Sequence, residues 1–357
     1  MAVYKIYPIK DASLYSATPA MNTGRDAILE VANTFPSINP SPRVARSLLR
    51  FDNNQIVNTI DTKIKPSTDY KVYLKAYIAE ASSISHETTI EARLVEGTWN
   101  NGTGQFNDSP QTTNGVSWDY RFSSGSGAWT PISPDAYHPI RQLPITSQSF
   151  DTTTFKDVCI DVTTHTNQIS SSLITREDDS FMLKLSGSQE FISGSANDTT
   201  FKFFSVDTNT IYPPVLEFRW DDHSHSTGSL SEIDTTDVFI GIDNNPGVFY
   251  SESINRFRLN VRPEFPARVF RTSSLYTSNH YLPTSSFYAI KDLDTNEYVV
   301  EFDSSYTKIS CDDNGNYFDV YMNGLQPERY YKLLFKTTIS GSTIVKDEDY
   351  TFKVING

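Results

Sequence analysis

Apolar side chains in this chain recur at every second position and hardly anywhere at helical spacing, which confines it to β-structure. The run Tyr70-Lys71-Val72-Tyr73-Leu74-Lys75-Ala76-Tyr77-Ile78 is rich in strand formers, and Phe181-Met182-Leu183-Lys184-Leu185, Phe201-Lys202-Phe203-Phe204 and Val215-Leu216-Glu217-Phe218-Arg219-Trp220 continue the pattern. Turn clusters separate them: Asn100-Asn101-Gly102, Asn114-Gly115 and Gly125-Ser126-Gly127. Short strands punctuated this way predict a sandwich or jelly roll. Segments with some helical character, 26–32 and 167–174, are short and interrupted.

The chain has 357 residues, enough for two or three domains that each bury a core. Its net charge of −13, with no basic run, argues against nucleic acid as a direct partner. The two cysteines, Cys159 and Cys311, fall in different predicted domains, so no disulfide framework is expected and each reads as a small buried apolar residue. The N-terminus, Met1-Ala2-Val3-Tyr4-Lys5-Ile6-Tyr7-Pro8, lacks the pattern of a secretion signal, and no run of 18 apolar residues offers a membrane span. Synthesis in a cytosol is the expectation, with no membrane partner.

A boundary is predicted after Trp220. Residues 221–229 contain no apolar anchor and read as a linker, giving a first domain at 1–220, a linker at 221–232 and a second domain at 233–357. Strands resume at Val238-Phe239-Ile240-Gly241-Ile242 and Phe257-Arg258-Leu259-Asn260-Val261. A hairpin follows, Phe287-Tyr288-Ala289-Ile290 turning at 292–296 into Tyr298-Val299-Val300-Glu301-Phe302, and then strands at 317–322, 330–336 and 350–355. There is no internal repeat.

Residues 1–220 carry a series of short motifs in order: Asp11-Ala12-Ser13-Leu14-Tyr15, Asn22-Thr23-Gly24 and Arg46-Ser47-Leu48-Leu49-Arg50-Phe51-Asp52. The series continues with Glu96-Gly97-Thr98-Trp99, Gly115-Val116-Ser117-Trp118, Ala128-Trp129-Thr130, Cys159-Ile160-Asp161-Val162-Thr163 and Pro213-Pro214-Val215-Leu216-Glu217-Phe218. This series resembles the DNRLRE-type β-sandwich, a jelly-roll-like domain related in shape to carbohydrate-binding modules. In the second domain, Leu325-Gln326-Pro327-Glu328-Arg329-Tyr330-Tyr331 resembles the tyrosine corner of immunoglobulin and fibronectin III-like sandwiches, with Tyr331 tying the corner to the backbone and Leu325 beneath it. The resemblance implies an all-β chain: an N-terminal jelly-roll-like sandwich followed by an immunoglobulin or fibronectin III-like one. The pairing is similar to structural proteins of tailed-bacteriophage virions.

Chemistry is scarce. The histidines His86, His138, His165, His223, His225 and His280 sit in no catalytic signature, and no Gly-x-Ser-x-Gly elbow exists. Cys159 and His165 are close in sequence, but the strand context assigns Cys159 to the core. His223 and His225, beside Asp221 and Asp222, are the one cluster of metal-ligand types; the run reads as a solvated linker, the alternative being an ion held at a subunit interface. The run Asp292-Leu293-Asp294-Thr295-Asn296 has Glu297 where a calcium loop needs glycine and reads as a hairpin turn, as does Asp312-Asp313-Asn314-Gly315-Asn316. Carbohydrate-binding sandwiches often carry a structural calcium, and the resemblance would give its oxygens to Asp11, Asp157 or Asp161. Ser124-Gly125-Ser126-Gly127 lacks a phosphate loop's lysine. Trp99, Trp118 and Trp129 are expected in the core or at its rim, the alternative being a stacking platform for sugar.

These readings converge on a protein with no catalytic, cofactor-binding or metal site. The expectation is a non-enzymatic virion component (tail, neck, fibre or capsid decoration), assembled in the host cytoplasm. It would be a homo-oligomer contacting other virion proteins. The alternative is a carbohydrate-binding or adhesin module for host-surface glycans.

Overall fold

The computed structural model describes all residues except 1, 37–40, 65–67, 83–86, 152–155, 173–175, 177, 195–197, 244 and 267–278. The chain is all-β, of sandwich type, and its contacts divide it into two compact units: Ile6–Ile64 with Lys71–Glu217, and Met1–Lys5 with Lys65–Tyr70 and Phe218–Gly357.

In the first unit the dominant sheet runs in the order Thr146–Phe150, Thr88–Val95, Ser180–Leu185, Arg43–Arg50, Ile28–Thr34, Thr199–Phe204, Ile78–Ser82, with Lys10–Tyr15 also paired to Arg43–Arg50. A second sheet sets Val158–Asp161 antiparallel against Tyr70–Ala76, with Ile160 opposite Leu74, and carries the first half of the strand Val215–Trp220. The strand Ser180–Leu185 is buried along its whole length, so both faces of the large sheet are covered there. Phe181, Leu183 and Leu185 take one face and Met182 and Lys184 the other, as period two requires. Met182 belongs to a cluster with Leu14, Val44, Leu48, Trp99, Trp118 and Trp129. The long connection between Thr88–Val95 and Thr146–Phe150 supplies its tryptophans, and so forms a further layer on that sheet face.

Buried hydrogen bonds anchor this layer. The Trp99 indole N–H donates to Ser180 Oγ at 2.9 Å and that of Trp129 to the Ser117 carbonyl at 3.0 Å. The Asn22 amide donates to the carbonyls of Asn101 and Val116 and accepts from the Gly104 N–H at 2.8 Å. Glycine is required at 104 because a Cβ there would lie 2.2 Å from the Asn22 carbonyl oxygen.

Several local expectations need correction. Cys159 is exposed, because Val158 and Ile160 occupy the inward positions of its strand and leave 159 outward. Residues 26–32 contribute to the strand Ile28–Thr34, whose Val31 stands opposite Phe201. Helix forms at Asn53–Asn58, where the Asp52 carboxylate caps the Asn54 N–H at 3.0 Å, and at Thr163–Ser171.

The second unit packs the sheet Val238–Ile242, Ile254–Pro263, Gly315–Tyr321, Ser310–Asp312 with a sheet ordered Val248–Tyr250, Thr351–Ile355, Arg329–Ile339, Phe287–Asp292, Tyr298–Val300. Between them stacked aromatics form the core: the Tyr288 and Phe318 rings lie 4.3 Å apart and Phe257 and Phe318 5.3 Å apart. Both expected turns are present. Asp292 accepts from the N–H groups of Asp294 and Thr295, and Gly315 takes a φ of 118° at its hairpin. The segment 221–229 does not hang free; Cys311 N–H donates to the Ser224 carbonyl at 2.9 Å, and Ser226 N–H to the Cys311 carbonyl at 3.0 Å.

The tyrosine corner has its defining bond: Tyr331 Oη donates to the Gln326 carbonyl at 2.8 Å, with Leu325 buried in the same core. Its strand, Arg329–Ile339, is third from the end, followed by Ser342–Lys346 and Thr351–Ile355. Tyr331→Phe keeps the ring and removes the bond. A loss of about 1–2 kcal/mol is expected in the urea transition of this unit, from one net hydrogen bond and a poorly satisfied carbonyl.

Candidate functional site

Period two places charge where the sequence composition would not suggest it. Val44 and Leu48 face the tryptophan layer, so Arg46 between them must face it too. The same reasoning puts Lys184 beside Met182, and Glu91 and Arg93 beside Val95. Register makes them neighbours, with Lys184 opposite Glu91 and Met182 opposite Arg93. Two loops add Asp135 and Glu190.

Arg46 is fully buried, and all five of its N–H groups are used. Nε donates to Glu190 Oε1 at 2.6 Å and Nη2 to Glu190 Oε2 at 2.9 Å. Nη2 also donates to Asp135 Oδ2 at 2.8 Å, and Nη1 to Asp135 Oδ1 at 3.2 Å. The remaining Nη1 hydrogen meets His138 Nδ1 at 2.6 Å. Since Arg46 can only donate, Nδ1 must accept; His138 is therefore the neutral tautomer with its proton on Nε2, which donates to the Trp118 carbonyl at 3.1 Å. Burial, reinforced by the Arg46 charge, holds the His138 pKa well below its usual value. Burial alone would raise the Asp135 pKa, but Arg46 and the His138 and Tyr137 N–H groups outweigh it and the pKa is lowered.

Glu190 also receives Lys184 Nζ at 2.9 Å. Asp135 Oδ1 accepts the backbone N–H of Tyr137 at 2.9 Å, so the ionic cluster fixes the loop that presents Tyr137. The Tyr137 ring stacks on Phe191, centroids 5.3 Å apart and planes 27° from parallel. These rings are 42% and 39% exposed, whereas Trp99, Trp118 and Trp129 are 1%, 4% and 7% exposed. The tryptophans are thus core residues, with Trp118 and Trp129 reaching a neighbouring groove only by their edges. Tyr137 and Phe191 wall a groove of about 420 Å³ floored by Glu91, Arg93, Lys184 and Glu190. That volume lies within the roughly 300–1,000 Å³ of small-molecule sites.

The other candidates do not assemble into a site. His86 lies outside the described residues. His165 is buried, its Nε2 donating to the Ala92 carbonyl at 3.1 Å, while Cys159 faces outward. The imidazoles of His223 and His225 stack at 5.9 Å, with His225 Nε2 on the Leu282 carbonyl. His280 stands in the short strand His280–Tyr281. Asp11 accepts from the Val206 N–H, Asp157 from the Ile78 N–H, and Asp161 from Thr163 and Lys71, each in a separate structural role. Among the described residues, no three His, Cys, Asp or Glu side chains are placed to hold a metal ion.

Sequence reading missed Arg46, Asp135, Lys184, Glu190, Tyr137 and Phe191. The alternation through Val44, Arg46 and Leu48 was the available signal for the first. Tyr137 and Phe191 lie in connections, where no periodicity applies. Compared with known proteins, the chain matches no family model, no curated protein and no solved structure.

Proposed function

We propose that this protein is a non-enzymatic structural component of a tailed-bacteriophage virion, working through contacts with other virion proteins and with copies of itself. The observation that best supports a contact role is the state of the charged groups at the groove. Arg46 holds Asp135 and Glu190 in a saturated, buried hydrogen-bond set, and the adjacent His138 is neutral with both ring nitrogens engaged. A general acid or base needs a pKa near the working pH and a proton free to move; a recognition surface needs rigidity instead. The assignment to a virion draws on the ordered motifs of residues 1–220 and the tyrosine corner that follows.

Gold-labelled antibodies against the chain, applied to density-banded particles from the lysate that produces it, test the proposal. Label at one fixed position on intact particles is the expected result. A chain that stays in the soluble fraction, with none in the banded particles, would overturn it.

A further inference from the structure

We propose that the groove walled by Tyr137 and Phe191 binds an uncharged sugar unit of a polysaccharide. This inference goes beyond the virion assignment and stands independently of it.

Charge narrows the ligand class first. Glu91, Asp135 and Glu190 face Arg46, Arg93 and Lys184, three acids against three bases, within and directly beneath the groove. A phosphate or carboxylate ligand calls for a surplus of positive charge and a cation for a surplus of negative charge. Neither surplus exists. A neutral ligand that both donates and accepts hydrogen bonds suits this floor.

The unspent hydrogen-bonding capacity has that character. Arg93 lines the groove nine-tenths buried; its Nη2 donates to the carbonyls of Arg141 and Gln142, and its Nε is buried with no acceptor. A buried donor without a partner destabilises the fold, and a ligand hydroxyl would relieve it. Lys184 Nζ spends two of its three hydrogens, on Glu190 and on the Leu185 carbonyl. Glu91 meets Arg93 through Oε2 at 3.3 Å, leaving Oε1 as an acceptor. Adjacent hydroxyls on a sugar ring, each both donor and acceptor, match a floor of neighbouring ammonium, guanidinium and carboxylate groups.

The wall supplies the apolar half of the contact. A pyranose has a face of C–H bonds that stacks on aromatic rings; Phe191, 39% exposed and backed by Tyr137, which itself packs against Trp118, offers such a ring at the groove. The wall is also preorganised, because Asp135, itself pinned by Arg46, holds the Tyr137 N–H.

The full-length chain should be run in native gels containing neutral polysaccharides (a glucan, a mannan and a galactan) and, in parallel, anionic ones (a polygalacturonate and a sulfated glycan). Retardation by at least one neutral polymer is expected, with affinity reduced at least about tenfold in Phe191→Ala and largely kept in Phe191→Tyr. Arg93→Lys, which lacks the Nε donor, should also weaken binding. Circular dichroism confirms that each variant is folded; if Phe191→Ala is not, the Phe191→Tyr and Arg93→Lys pair decides. Retardation only by the anionic polymers, by none, or equally for every folded variant overturns the proposal. Particle labelling is unaffected by any of these results, so failure here and failure of the virion assignment are separable.

Discussion

Replacing Arg46 with alanine is expected to destabilise the first unit by about 3–5 kcal/mol, the usual cost of breaking a buried ion pair from one side. The guanidinium is the shared partner of Asp135 and Glu190; without it both carboxylates face a low-dielectric interior, with Lys184 left to neutralise one of them. His138 Nδ1 loses its donor as well. Most of the loss is a penalty on the groups left behind, which makes the claim separable from simple cavity formation. The combined variant Arg46→Met, Asp135→Asn, Glu190→Gln removes the charges together and should lose much less than Arg46→Ala alone. Urea titrations followed by the fluorescence of Trp118 and Trp129, which pack against His138, check this. A loss below about 1 kcal/mol in Arg46→Ala would show that water reaches the cluster and that the ion pairs behave as surface ones.

The same cluster shows what the sequence discloses and what it hides. Strands were legible because alternation is a local property, and the corner at Tyr331 because its turn and strand lie within a few residues. Arg46 stood inside the most recognisable motif of the first domain, yet its role was hidden. Its partners lie 89, 92 and 144 positions away in loops, and nothing local encodes which loop returns to a given strand. Lys184 shows the cost of treating alternation as inside against outside: the strand Ser180–Leu185 is covered on both faces, so its outward lysine is also buried. The exposed Cys159 is the reverse error. A small apolar residue was assigned to the core on its chemistry, when parity with Val158 and Ile160 already placed it outside.

The pH dependence of the first unit's stability should change when Asp11 is replaced, because buried groups there are displaced in opposite directions, His165 and His138 downward and Asp11, Glu30 and Asp179 upward. Burial lowers the His165 pKa to about 4, against roughly 6.5 in the unfolded chain. Its contribution is therefore complete above pH 6.5 and is lost as the pH falls toward 4. His138 is displaced the same way, well below its usual value. Asp11 runs against them: burial raises its carboxyl to about 7, from roughly 3.9 when unfolded. A raised acid stabilises most below its unfolded pKa, and that contribution drains away as the pH climbs to 7. Each unit of displacement corresponds to about 1.4 kcal/mol, so His165 and Asp11 each carry a few kcal/mol and nearly cancel between pH 4 and 6.5. Asn at position 11 keeps an oxygen for the Val206 N–H and cannot ionise. Asp11→Asn should accordingly gain about 1–3 kcal/mol over the parent at pH 8 and little at pH 5. Urea transitions at pH 4.5, 5.5, 6.5 and 8 decide the matter. An equal effect of Asp11→Asn at pH 5 and pH 8 would mean that the carboxyl is hydrated and ionises normally in the folded protein.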